Sequence, residues 1–345
     1  MKKFVSMIVA SVLLFTAMIL PANVKGIFSS LGNSGVKSGK GNGTNEKIET
    51  VTDTEDVVDS AVALINSLYR DGSTYASSSY DSTPRFESLS LIFERDAKTD
   101  VEITGNGIST DVSVSMKNTC DYRMNNNGEA HVIIDGTVNM SSRGSSVYMD
   151  FEAEIYMSST KSLMRFTKLN MTMDGEQMPA NYKKAILNKW IDLTYGGGDF
   201  ANVGESIMQT NYAVLNIFDD YITEYASFDK KGSVYTMTGS AFDELMQDMI
   251  GVSAESLGTS MPFNIETEGE MKVDLSKATA PKISLEIEYD YPDSFSVGGN
   301  TVYIDEGNNY ENISYKFYNI NNTVIDFDVD NDDIYTMSEI EALVD

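Results

Sequence analysis

The sequence predicts an α+β fold: one large, curved antiparallel sheet, half-barrel-like, covered on one face by helices. Three observations carry that expectation. From about residue 85 onward the apolar pattern has a period of two over runs of ten or more residues, longer than the usual strand of about five or six. Turn residues separate these runs at hairpin spacing. Between two such meanders lie stretches whose apolar residues recur at helical spacing.

Taken in order, the elements begin with a helix. Thr52 and Glu55 form a capping-box pair, followed by Val57, Val58, Ala61, Leu64, Ile65 and Leu68 on one face, and the helix stops at Asp71-Gly72. A loop of Ser and Tyr from Ser73 to Thr83 follows. Val112, Val114, Met116, Cys120, Tyr122 and Met124 then share one parity, and Asn125-Asn126-Asn127-Gly128 reads as a hairpin turn. Val132, Ile134, Gly136, Val138 and Met140 alternate with polar residues. After Arg143-Gly144 the alternation from Val147 to Met157 is unbroken. The phase slips between Phe166 and Leu169, the mark of a bulge or bend.

Residues 179–189 fit a short helix, and Trp190-Ile191-Asp192-Leu193 a strand. Gly196-Gly197-Gly198 is a loop without the Lys and Ser/Thr of a phosphate-binding one. Val203, Ile207, Val214, Leu215, Phe218, Ile222 and Tyr225 mark an amphipathic helix or a broken pair. Strand 234–238 precedes a helix capped by Ser240, with Phe242, Leu245, Met246 and Met249 on its face. Strands resume at 261–275, at 283–291 and at 313–317, and Asn322 to Phe327 alternates like one more. The carboxylate pairs Glu152/Glu154 and Glu286/Glu288 sit two apart on polar strand faces, as solvated sheet surface does.

Composition narrows the function. Met1-Lys2-Lys3, an apolar run of 17 residues from Phe4 to Leu20, and Pro21 to Gly26 read as a secretory signal. Membrane association is expected only if that segment stays uncleaved, and no Cys stands at its end to carry a lipid anchor. The expected location is therefore secreted or cell-surface. Removing residues 1–26 takes three cations and no acids from a chain of net charge −27, leaving −30. Such a surface repels nucleic acid. A single Cys, Cys120, excludes an internal disulfide framework, and its parity puts it in the core. The single His131 lies on the polar side of its strand; alone it cannot build a His-rich zinc site, and any Ser-His-Asp triad would have to use it. No nucleophile–base set rises above background, so the chain reads as non-enzymatic.

One stretch carries recognisable chemistry. Asp328, Asp330, Asp332 and Glu339 occupy the first, third, fifth and twelfth places of a twelve-residue loop, with Ile334 seventh and Thr336 ninth. This resembles the calcium loop of EF-hands and dockerin repeats. The resemblance implies Ca²⁺ held by Asp328, Asp330 and Asp332, by the Ile334 carbonyl, by Thr336 directly or through water, and by Glu339 in bidentate fashion. Asp333 stands at the sixth place, where Gly is usual, so affinity is expected in the weak range of roughly 10⁻⁴ to 10⁻³ M.

The order of helix, meander, helical insert and second meander over residues 50–327 resembles the LolA and LppX/LprG type of lipoprotein carrier, an open half-barrel whose concave side is covered by helices. That resemblance implies an apolar or amphipathic ligand between sheet and helices; the 19 methionines suit a pliable pocket. The expected division is 1–26 signal, 27–46 flexible linker, 47–327 β-rich domain with a helical insert, and 328–345 calcium loop with a short helix. A calcium-stabilised surface or matrix protein without a small ligand is the alternative.

Overall fold

The computed structural model describes residues 87–343, except 106–107, 143, 159, 194–213, 219–220, 222–227, 257–264, 278–280, 298–299, 308, 320–321 and 331–332. The signal segment 1–26, the linker 27–46, the helix opened by Thr52 and Glu55 and the loop 73–83 lie outside the described residues. So do Gly196 to Gly198, Val203, Ile207, Ile222, Tyr225 and Asp332.

The described chain is mostly β, with few helices. The first meander runs β1 (Ser88–Gly105), β2 (Ile108–Asn125), β3 (Ala130–Ser142), β4 (Ser145–Met157) and β5 (Ser162–Met173). Next come the short β6 (Glu176–Gln177), helix α1 (Ala180–Ile186) and β7 (Trp190–Asp192). The second half contains β8 (Asp229–Lys231), β9 (Val234–Thr238), helix α2 (Ser240–Ser256), β10 (Glu266–Asp274) and β11 (Lys282–Asp290). It ends with β12 (Ser294–Val297), β13 (Asn300–Glu306), β14 (Tyr310–Tyr318), β15 (Ile334–Thr336) and helix α3 (Met337–Ala342).

The fifteen strands of the described residues belong to one open sheet: twelve follow the order β15-β7-β5-β4-β3-β2-β1-β14-β11-β10-β9-β8, while β6 pairs with β5, β13 with β1, and β12 with β13. The two meanders are therefore not separated by the helical insert. They meet at a seam where β1 pairs antiparallel with β14, from Ser90↔Tyr318 to Lys98↔Tyr310. The phase slip is a bulge: Glu152 pairs with Lys168 and Ala153 with Phe166, so Thr167 is the extra residue. It bends β5 and brings both Phe166 and Leu169 to the buried side.

Alternation sorts the two faces. Phe93, Tyr122, Ile134, Phe151, Leu285, Ile313 and Tyr315 lie on one face and are buried, and Cys120 lies among them as expected. Gly136 sits in close approach: a Cβ there would lie 3.1 Å from the Phe151 ring, which would have to shift by a few tenths of an ångström. Helical segments pack on this face. The stretch 214–218 places Phe218 edge-on to Tyr315, ring centres 5.1 Å apart, and α2 buries Phe242, Leu245, Met246 and Met249 in the same core. Tyr221 donates to Asp248 Oδ2 at 3.0 Å, tying the two segments together.

Residues 322–330 are extended, as their alternation suggested, but they form no strand. They cross the polar face of the sheet as a strap instead of joining its edge. Thr323 is held to β1: its N–H donates to Ser88 Oγ at 3.0 Å and its Oγ1 lies 2.6 Å from Ser90 Oγ. Phe327 stacks on Tyr156 of β4, ring centres 4.0 Å apart and planes at 5°, and meets Trp190 edge-on at 5.0 Å. Beyond it β15 pairs in parallel with β7, and Ile340 of α3 is wholly buried. The alternation reports that every second side chain faces the protein; it does not report a hydrogen-bonded ladder.

Candidate ligand-binding site

A polar row crosses the apolar face where parity calls for hydrophobic side chains. Arg95 lies in phase with Leu91, Phe93 and Ala97 of β1, and its register partners are Asn118 on β2 and Ile313 on β14. Two places along β14 is Glu311; on β11, Tyr289 follows in the same phase as Leu285 and Ile287, and its partner on β10 is Thr267. The row thus runs Asn118–Arg95–Glu311–Tyr289–Thr267 over β2, β1, β14, β11 and β10, all of it buried.

Its bonding is incomplete. Arg95 Nε lies 2.7 Å from Glu311 Oε1, with both side chains at 0% exposure. The Tyr289 hydroxyl donates to Glu311 Oε2 at 2.7 Å, and Asn118 Nδ2 donates to Cys120 Sγ at 3.2 Å. The Arg95–Glu311 contact is close enough for an ion pair but is not aligned as a hydrogen bond, since both atoms stand among those without a hydrogen-bond partner. Arg95 Nη1 and Nη2, Asn118 Oδ1 and Thr267 Oγ1 are likewise buried with no partner. Native cores leave few such groups, each at a cost of about 1–3 kcal/mol. Burial pushes the Glu311 carboxyl up, against the pull of Arg95, and holds the Tyr289 hydroxyl well above its ordinary range. Burial likewise pushes the Cys120 thiol up to about 12, so it is no nucleophile.

A second polar cluster lies under the strap. His131, on the polar side of β3 as expected, is nevertheless only 7% exposed, because Phe327 covers it with ring centres 5.5 Å apart. Its Nε2 lies 2.8 Å from Glu154 Oε1, while Arg165 donates to Glu154 Oε2 and stands over the Trp190 ring at 4.7 Å. Burial alone would raise the Glu154 carboxyl; the bonds from Arg165 and His131 outweigh it and hold it below its usual range. Glu152 is exposed, as a solvated strand position should be, whereas Glu154 is not simply surface. The remaining polar face holds a groove of about 580 Å³ whose lining includes Glu94, Asp96, Lys117, Asp135, Lys282 and Glu286.

The calcium-loop residues are divided. Asp328 and Asp330 are exposed on the strap, Asp332 lies outside the described residues, and Ile334 pairs with Trp190 in β15. Thr336 and Glu339 engage each other: Glu339 Oε2 accepts from the Thr336 N–H at 2.7 Å and from its hydroxyl at 2.9 Å, and Thr336 Oγ1 accepts from the Glu339 N–H at 3.3 Å. This is a capping box on α3, and it holds the Glu339 carboxyl below its usual range. Asp333 is not among the residues with positive φ, so the sixth place does not make the left-handed turn of an EF-hand.

No family model matches the chain, and no curated protein matches it. Among solved structures it is similar to the translocator domain of the autotransporter NalP from Neisseria meningitidis, at 8% identity over 77% of this chain and 99% of that one. The TM-score is 0.18, at which the likeness carries no argument.

Proposed function

We propose that this chain is an exported, non-enzymatic binding protein that holds an apolar or amphipathic molecule on the apolar face of its sheet. The observation that carries the reading is the covering of that face. Separate helical segments bearing Phe218, Phe242, Met246 and Met249 lie on a single open sheet, where a sandwich would use a second sheet. Helices held chiefly by side-chain packing part from a sheet more readily than hydrogen-bonded strands part from each other, and a chain-like ligand enters between such layers. The half-barrel carrier architecture belongs to this reading. So does a weak structural Ca²⁺ site over Asp328 to Glu339, which would have to displace the capping box to gain Glu339 as a bidentate ligand.

The test is native mass spectrometry of the protein from its own host, alongside titration with an environment-sensitive fatty-acyl probe. A co-purifying amphiphile and a saturable fluorescence gain are expected; neither appearing discards the reading. The charged groove on the polar face favours the alternative, a surface or matrix interaction protein without a small ligand.

A further inference from the structure

The polar row specifies what kind of head group such a molecule would carry, and the inference rests on the amphiphile-binding reading above. Within the row, the positive charge of Arg95 is already balanced by Glu311 at 2.7 Å. What remains unmet is a mixture: donors at Arg95 Nη1 and Nη2, acceptors at Asn118 Oδ1 and Glu311 Oε1, and a Thr267 hydroxyl able to act as either. A carboxylate or phosphate head would satisfy the two η nitrogens. It would also put further lone pairs against Asn118 Oδ1 and Glu311 Oε1, and add an uncompensated charge to a buried site. A purely apolar molecule would leave every one of these atoms unmet. A neutral head that both accepts and donates meets the Arg95 η nitrogens and one of the two acceptors; Thr267, three strands from Arg95, lies beyond its reach.

We propose that Asn118, Arg95 and Glu311 receive the neutral head of an amphiphile bearing at least one carbonyl acceptor and one hydroxyl donor. Its carbonyl lies on the Arg95 η nitrogens, and its hydroxyl donates to Asn118 Oδ1 or Glu311 Oε1. Its acyl chain runs along the apolar face past Phe93 and Tyr315, where Phe218 packs against the sheet. Selectivity follows from the same arithmetic by which a site built for hydroxyl recognition rejects analogues without one: the cost falls on the protein atoms left unpaired.

The test is calorimetric titration of the full chain with three ligands sharing one twelve-carbon chain: N-dodecanoylethanolamine, methyl dodecanoate and dodecanoate. The ethanolamide is expected to bind at least about tenfold more tightly than either of the others. In Arg95→Met/Glu311→Leu, which removes the ion pair as a unit so that no buried charge is stranded, that preference should shrink to within about threefold. Asn118→Leu, which removes one acceptor and leaves the Arg95–Glu311 pair in place, provides a second readout should the double variant fail to fold, with a smaller loss confined to the ethanolamide. If the wild-type protein binds none of the three, the amphiphile reading itself fails. If it binds all three alike, that reading stands and the head-group assignment falls. Tightest binding of dodecanoate overturns the assignment in favour of an anion that opens the Arg95–Glu311 pair.

Discussion

Truncating one ring, Phe327→Ala, should release the strap while leaving the sheet folded. The Phe327 ring stacks on Tyr156 at 4.0 Å, meets Trp190 edge-on at 5.0 Å and covers His131 at 5.5 Å. Aromatic pairs of this kind contribute about 0.5–1.5 kcal/mol each beyond the area they bury. Phe327 itself is only half-buried, so the full 3–5 kcal/mol of a core Phe→Ala change does not apply. A loss of about 2 kcal/mol in strap docking is expected, a factor of about 30 in the docked-to-released ratio. Trp190 is the chain's single tryptophan and is 5% exposed, so its emission reads the release directly. In a urea titration the variant should show a red shift at low denaturant, before the main transition. Phe327→Leu, which keeps apolar volume but loses the stack, should fall between the two. β15 and the buried Ile340 still hold the far end, which confines the change to the strap. An unshifted Trp190 emission together with an unchanged urea profile would refute the argument that this ring holds the strap.

Three more perturbations test separate parts of the molecule. Phe151→Asp places an unpaired charge at a wholly buried position and should destabilise by more than about 4 kcal/mol, whereas Glu152→Lys on the exposed side should change stability by less than about 1; thermal melts compare them. Glu339→Gln keeps the capping box, because Gln also bonds back to the cap residue, but removes a charge that Ca²⁺ would need. Its melt should match wild type and any millimolar Ca²⁺ heat should vanish, while Thr336→Ala should cost about 0.5–2 kcal/mol of local stability, and a Glu339→Gln protein that still binds Ca²⁺ as wild type does rules that carboxylate out as a ligand. Glu154 has a folded pKa below its ordinary 4.5, so its contribution is present above that value and is lost as pH falls through the lower folded one. The melting temperature should therefore fall with acidification below about pH 4.5 more steeply in wild type than in Glu154→Gln, and parallel curves would show that Glu154 contributes nothing.

Much of the sheet was legible because burial on one face imposes a period of two. The hairpin at Asn125–Gly128, the bulge at Thr167 and the phases of β2, β3, β4, β11 and β14 follow directly from which residues are apolar. The polar row is not legible in any single strand, although its signal is present as exceptions to that rule. Asn118 interrupts Met116 and Cys120, Arg95 stands between Phe93 and Ala97, and Glu311 precedes Ile313 in phase. Each looks like a lapse in one strand, and only pairing across five strands turns the lapses into a line. At the tail, Thr336 and Glu339 satisfy the calcium-loop spacing and the capping-box spacing at once, because both patterns place an acid three residues after a hydroxyl. The seam between β1 and β14 had no local signature, since pairing of such distant segments leaves no mark on either one.

That seam has a kinetic consequence. Ser90 pairs with Tyr318, so the strands at the middle of the sheet come from opposite ends of the described chain. Hairpins such as β1–β2 and β3–β4 can close on the microsecond scale, but joining the two halves must await β13 and β14, which pair with β1 along one flank, and overcome the entropy of a very large loop. Until then β1 presents an unpaired flank along its nine-residue contact with β14, and β11 presents another. These are long, apolar edges of the kind that associate with other chains. β14 is thus the element whose arrival converts two sticky half-sheets into one, and its loss would leave aggregating halves instead of a slightly smaller protein.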